Sequence, residues 1–137
     1  MKLRTQEQER AQFAYQKIKE ISEESQDLQK KYLSYIKSSA TLILTNGLGN
    51  TLAFYLSEAK VPYDGRDFEN KLKECKDGEK AYCKLYLHIT EWLKKQGYGG
   101  ITWIISSDSI QVFQATREAL RLINWMKKFA EAMLKEG

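Results

Sequence analysis

The chain has 137 residues, 42% of them hydrophobic and 29% charged, with 22 Lys and Arg against 18 Asp and Glu and a formal net charge of +4. This length suits one domain able to bury roughly two-thirds of its extended-chain surface, and the apolar content excludes a disordered chain. No apolar run approaches the ~20 residues of a membrane span, and the opening MKLRTQEQER is too polar for a signal peptide, so the expected setting is cytoplasmic.

One Pro and eight Gly foretell few turns and long regular elements. From Thr5 to about Ser22, Ala11, Ala14, Ile18 and Ile21 recur at helical spacing and make one apolar face. From about Leu28 to Thr45, Leu33, Ile36, Ala40 and Ile43 repeat that pattern. Leu48, Leu52, Leu56 and Ala59 give a third, shorter stripe. The stretch VPYDGRDFENKLKECKDG holds the only Pro and reads as a loop, with a short helix allowed from Asp67. Between Glu79 and Lys95 the stripe is Tyr82, Leu85, Ile89 and Trp92, widened by Tyr86 and Leu93, and GYGG ends it. Ile101 to Ile105 is apolar and β-branched without a partner strand, which predicts an anchoring loop. Asp108 caps a last helix running to about Lys135. The class is all-α: a single-domain helical bundle of about five to six helices over residues 1–137. A variable loop is expected at about 61–78 and a second loop at about 97–107.

Two glycines within LTNGLGNTLAFYLSEAK raise the question of a phosphate loop. A Walker-type loop needs Lys followed by Ser or Thr after its last Gly. Here Asn50 and Thr51 follow Gly49, no Lys is near, and no strand precedes. A helix–helix corner fits better. Asn46 and Gly47 supply left-handed residues, Leu48 plugs the corner, and Asn50 or Thr51 opens the next helix.

The last helix carries the sharper pattern. At about 100° per residue, Val112, Thr116, Ala119, Ile123, Met126, Ala130 and Met133 form the core arc. Nearly opposite stand Arg117, Arg121, Asn124, Lys128 and Lys135, a ridge that no acid interrupts, since Glu118, Glu131 and Glu136 fall to its flanks. Uncompensated positive charge along a rod suits a phosphate chain, although a solvated face is the ordinary alternative. Trp125 lies away from the core arc on the polar side and reads as an interface residue. Lys30, Lys31 and Lys37 on the second helix either extend a basic patch or keep that helix soluble, and Lys37 is a further candidate nucleic-acid contact. A net charge of +4 is mild for a dedicated DNA binder.

Catalytic chemistry finds no constellation. His88 is the only His and sits at the edge of an apolar stripe, without a paired nucleophile. Glu23–Glu24 and Glu7/Glu9 are surface acids on helices, and nothing has the spacing of a zinc site. Cys75 and Cys83 read as idle thiols, with a disulfide left open for a thermophile.

Four segments taken together, ERAQFAYQKIKEI, KYLSYIKSSATLILTNGLGNTLAFYLSEAK, LYLHITEWL and ATREALRLINWMKKFAEAMLKE, resemble the Cmr small subunit of type III-B CRISPR RNA-targeting effector complexes. The match runs through nearly the whole chain in the family's order, and the segments at 62–78 and GYGGITWII are the least similar. The resemblance implies an α-helical, non-catalytic protein, several copies of which stack into a minor filament beside the guide-RNA-bound backbone. It implies other Cmr subunits and further copies of the chain as partners, with guide RNA and target RNA reached through the assembly. It places cleavage in other subunits, and no cofactor, metal, membrane or small-molecule substrate is expected. A stand-alone helical protein–protein adaptor without nucleic-acid contact is the rival reading.

Overall fold

The computed structural model describes residues 4–60, 75 and 79–135. Among them lie six helices and no strand: α1 (Gln6–Ser22), α2 (Gln26–Asn46), α3 (Leu48–Ala59), α4 (Lys80–Lys95), α5 (Ile101–Ser106) and α6 (Ser109–Met133). The all-α bundle expected from periodicity is present. Except for Cys75, the expected loop at 61–78 and the helix from Asp67 lie outside the described residues.

Local chemistry explains where the helices start. Thr5 opens α1 with a reciprocal capping box: its hydroxyl accepts from the Gln8 amide at 3.1 Å, while the Gln8 side chain accepts from the Thr5 amide at 3.0 Å. Ser25 accepts from the Leu28 amide at 3.2 Å and opens α2. Asp108 caps α6 by accepting from the Gln111 amide at 2.8 Å, as its position in the sequence predicts.

Side-chain bonds set the arrangement. Gln29 is nearly sealed and donates to the Ser22 and Glu24 carbonyls at 3.0 and 2.9 Å. Its oxygen accepts from the Lys135 amide at 3.2 Å. The ends of α1 and α6 therefore meet at the start of α2. Lys80 pairs with Glu24, Lys17 with Glu91, and Gln6 meets Gln96, so α4 runs antiparallel to α1. Tyr32, Ile36, Leu52, Leu85, Tyr86, Ile89, Leu93, Leu122 and Ile123 have no exposed surface and fill the space between. Each large apolar side chain sealed this way contributes roughly 1.5–3 kcal/mol.

The corner between α2 and α3 is a single residue. Gly47 has φ 89° and ψ 158°, while Asn46 stays helical, so only the Gly supplies the positive φ. The conformation is also not the left-handed helical one. It combines positive φ with an extended ψ, a region populated essentially by Gly. Neither Asn50 nor Thr51 caps α3, which starts at Leu48 without a side-chain cap. Thr51 instead donates back to the Gly47 carbonyl at 2.9 Å, and Leu48 is buried as a plug. A Cβ on Gly49 would stand 3.3 Å from Ile104 Cγ2, so that Gly faces α5. Gly47→Val, and equally Gly47→Ala, should lower unfolding free energy by about 1–3 kcal/mol in urea titrations. Nothing lies within 4 Å of a Cβ at Gly47, so the loss would be backbone strain alone. An unchanged midpoint for the Ala variant would contradict this account of the corner.

The expected second loop at 97–107 needs correction, because Ile101–Ser106 is helical. Ile101 and Ile104, three apart, are buried, and the Ile101 amide donates to the buried Tyr86 hydroxyl at 3.2 Å. Gly99 permits the reversal that feeds α5: a Cβ there would lie 2.4 Å from Trp103 Cβ. Tertiary contact selects helix for a run whose β-branched composition favours extended chain.

The two cysteines also depart from the idle-thiol reading, since Cys75 and Cys83 are joined by a disulfide. Cys83 sits in the core face of α4, and Cys75 packs half-buried against the same core.

Candidate nucleic-acid interface

Helix α6 lies against α1, α2 and α4. Ala115, Ala119, Leu122, Ile123, Met126 and Ala130 are buried, and the small residues among them let neighbouring helices approach closely. Arg117, Arg121, Asn124 and Lys128 are exposed along the outer side, as the 100° spacing predicts, whereas the helix expected to reach Lys135 ends at Met133 and the exposed Lys135 follows the extended Leu134. Arg117 lies 5.9 Å from the centroid of the Phe113 ring, itself 61% exposed. Lys128 has no ion-pair partner among the described residues. Lys37 is exposed on α2, beside Lys30 on that helix's outer stripe rather than on the α6 ridge, and Lys31 is paired with Asp27 at 3.1 Å.

The acid nearest the ridge turns inward. Glu118 is 7% exposed and accepts from Arg10 Nε at 2.8 Å and Arg10 Nη2 at 3.1 Å. It also accepts from Trp92 Nε1 at 2.8 Å. Burial pushes its carboxyl up, but hydrogen bonds from Arg10 and Trp92, with the charges of Arg10 and Arg121, outweigh burial and hold it below the ordinary range. Arg10 is 3% exposed and also donates to Glu7 at 2.5 Å. One carboxylate thus joins α1, α4 and α6 from inside, and only its 3.9 Å approach to Arg121 touches the ridge. Sequence reasoning missed this triad, although a signal was present. Arg10 is in register with Ala14 and Ile18, and Glu118 falls between Ala115 and Leu122 at three-four spacing.

Trp125 is not the projecting contact its position suggests. It is half-buried, donates its indole N–H to the Glu7 carboxylate, and stacks on Phe129 at 5.8 Å, with Tyr15 edge-on to Phe129 at 5.7 Å. The polar side of α6 nearest α1 is therefore a seam within the molecule. Of the tyrosines on the first two helices, Tyr32 is sealed and Tyr35 stacks on Tyr82 at 3.9 Å, leaving Tyr15 exposed. Large exposed apolar side chains gather elsewhere, at the C-terminal end of α2, on α5 and at the start of α6. Leu44 is 73%, Ile105 71%, Ile110 69% and Phe113 61% exposed. Of these only Ile105 lines a groove of 580 Å³, together with Gly49, Ala53, Leu56 and Ile101, among others.

His88 is not at a boundary but inside, 3% exposed, with Nδ1 2.8 Å from the Tyr32 hydroxyl and Nε2 3.9 Å from Glu20. With Nε2–H facing that carboxylate, the Tyr32 hydroxyl donates to Nδ1. Burial, then repulsion from Lys17 and Lys84, lowers the His88 pKa from 6.5 to about 3. The unfolded chain therefore takes up this proton first, so the contribution to stability is full above pH 6.5 and is lost as pH falls toward 3. Urea titrations should show up to about 3 kcal/mol lost between pH 6.5 and 4, and His88→Asn should flatten that part of the profile. An unchanged slope in the variant would contradict the burial account.

Among the described residues no group of three or more His, Cys, Asp or Glu is placed to hold a metal ion. No described helix is long and apolar enough to cross a membrane.

Fold and surface together define a small all-α bundle that presents a cationic rim on one helix and an apolar end. The family described as CRISPR-associated protein (Cas_Cmr5) matches residues 6–133, and the chain belongs to that family, the Cmr small subunit of type III-B systems. The fold is shared with the X-ray crystal structure of a CRISPR-associated Cmr5 family protein from Thermus thermophilus. That likeness has a TM-score of 0.68 at 23% identity, covering 96% of this chain and 100% of the other.

Proposed function

We propose that this chain is a non-catalytic subunit of a cytoplasmic Cmr ribonucleoprotein effector, stacking in a minor filament and supporting guide RNA and target RNA through the basic face of α6. The observation that carries this is the ridge of Arg117, Arg121, Asn124 and Lys128, exposed on α6 with Lys135 exposed just past its end, while Glu118 is turned into the core. Cations along a rod track phosphates without reading bases, and sequence choice is left to pairing with the guide. Other Cmr subunits and further copies of this chain are the proposed partners. The apolar end formed by Leu44, Ile105, Ile110 and Phe113 supports a head-to-tail contact, which builds an open row when its rotation does not close.

Reconstitution with candidate Cmr subunits and guide RNA, followed by electron microscopy, tests the assembly. Several copies in a row beside the guide-bound backbone, with α6 toward RNA, is the expected image. A single copy bound by its apolar end and remote from RNA would favour the adaptor reading instead.

A further inference from the structure

The Cys75–Cys83 bond lies where the end of α3 meets the start of α4. Cys75 Sγ is 3.9 Å from the Ala59 carbonyl oxygen, and Lys60 pairs with Glu79 at 3.7 Å beside it. Its two sulfurs occupy different environments. Cys83 is 1% exposed on the core face of α4, between the sealed Ala81 and Leu85, whereas Cys75 is only half-buried. Any approach from solvent is therefore from the side of the partly exposed Cys75, because Cys83 is sealed.

We propose that Cys75–Cys83 is an exchangeable redox clasp, opened from the Cys75 side by a small dithiol. The thiolate of the dithiol attacks Cys75 Sγ, the S–S bond breaks, and Cys83 departs with the electron pair and takes a proton from water. The second thiol of the reagent, deprotonated, then attacks the mixed disulfide and releases Cys75, which is protonated in turn. Two electrons and two protons pass to the protein, and the reagent leaves as its own disulfide. Cys83 remains as a buried neutral thiol, well suited to an apolar site. The Lys60–Glu79 pair at the α3–α4 junction and the Tyr35–Tyr82 stack of α2 on α4 remain, but Cys75, which lies against the Ala59 carbonyl, loses its covalent tie to α4. Helix α6 carries neither cysteine and keeps its ridge. The clasp is independent of the proposed function.

The test uses the whole chain, purified in air without reductant. Iodoacetamide should label neither cysteine before reduction, as read by intact mass. Dithiothreitol in native buffer should then open the bond. Brief alkylation of the folded, reduced protein should modify Cys75 at least an order of magnitude faster than Cys83. Hydrogen exchange should quicken at the last turn of α3 and the first turn of α4, and stay unchanged across α6. The Cys75→Ser/Cys83→Ser double variant should show the same exchange pattern without reductant. Two free thiols in the air-purified protein would overturn the proposal. Reduction that requires denaturant, equal labelling of the two cysteines, or exchange that does not respond to reduction would do the same.

Discussion

Glu118→Ala is expected to cost about 3–5 kcal/mol of unfolding free energy, the usual penalty for removing one partner of a buried ion pair. The loss goes beyond three hydrogen bonds. Arg10 would keep a charge at 3% exposure with only the exposed Glu7 as counter-ion, and the Trp92 indole N–H would lose its acceptor. Glu118→Gln keeps the shape and one acceptor, so it should fall between wild type and the Ala variant. Arg10→Met combined with Glu118→Leu should recover much of the loss, because apolar groups of similar volume avoid the cost of burying charge. The pH dependence follows from the depressed Glu118 pKa: its contribution is present above the ordinary value of 4.5 and is lost as pH falls below it. That window opens below the onset of the His88 loss, so wild-type acid unfolding should steepen near pH 4 and the Glu118→Leu pair should not. A Glu118→Ala protein within 1 kcal/mol of wild type would mean that water reaches the site.

Core stripes and the start of α6 were legible because each rests on local chemistry. Asp108 caps where a carboxylate precedes an apolar-periodic run, and Leu48, Leu52, Leu56 and Ala59 are buried at the spacing that named them. What escaped depends on partners. Six residues make α5, too few for periodicity to tell helix from extended chain, and contacts of Ile101 and Ile104 decide it. Trp125 was misjudged because a helical wheel assumes one buried side, whereas α6 packs on three helices and α1 covers the Trp125 flank. Gly47 was legible as a turn residue but not in its extended ψ, which depends on how α3 leaves the corner. The pairing of Cys75 with Cys83 could not be read from a spacing of eight. Spacing alone gave the exposure of Arg117, Arg121, Asn124 and Lys128, while Lys135 lies past the extended Leu134, where helical spacing no longer applies.

Loss of the ridge should change RNA binding more than loss of equal charge elsewhere. Arg117, Arg121 and Lys128 changed together to Gln leave the core arc of α6 untouched, so the circular dichroism spectrum and melting temperature should stay near wild type. One copy offers few phosphate contacts, and the isolated protein should bind RNA weakly whether or not it is mutated. In a stacked assembly, contacts add along the strand. A control removes the same charge from Arg4, Lys19 and Lys95, which are exposed on or beside other helices. Lys17 is unsuitable there because it is held by Glu91 at 2.9 Å.

The salt dependence of RNA binding by the reconstituted assembly tests the central claim most directly. With wild-type subunit, log affinity should fall steeply with log salt. With the ridge variant the slope should flatten by up to about 2, from ~0.7 for each of three lost phosphate contacts on single strands. The control variant should keep the wild-type slope. Equal flattening by ridge and control variants would assign binding to net charge, and no change with either would contradict a phosphate-tracking role for α6.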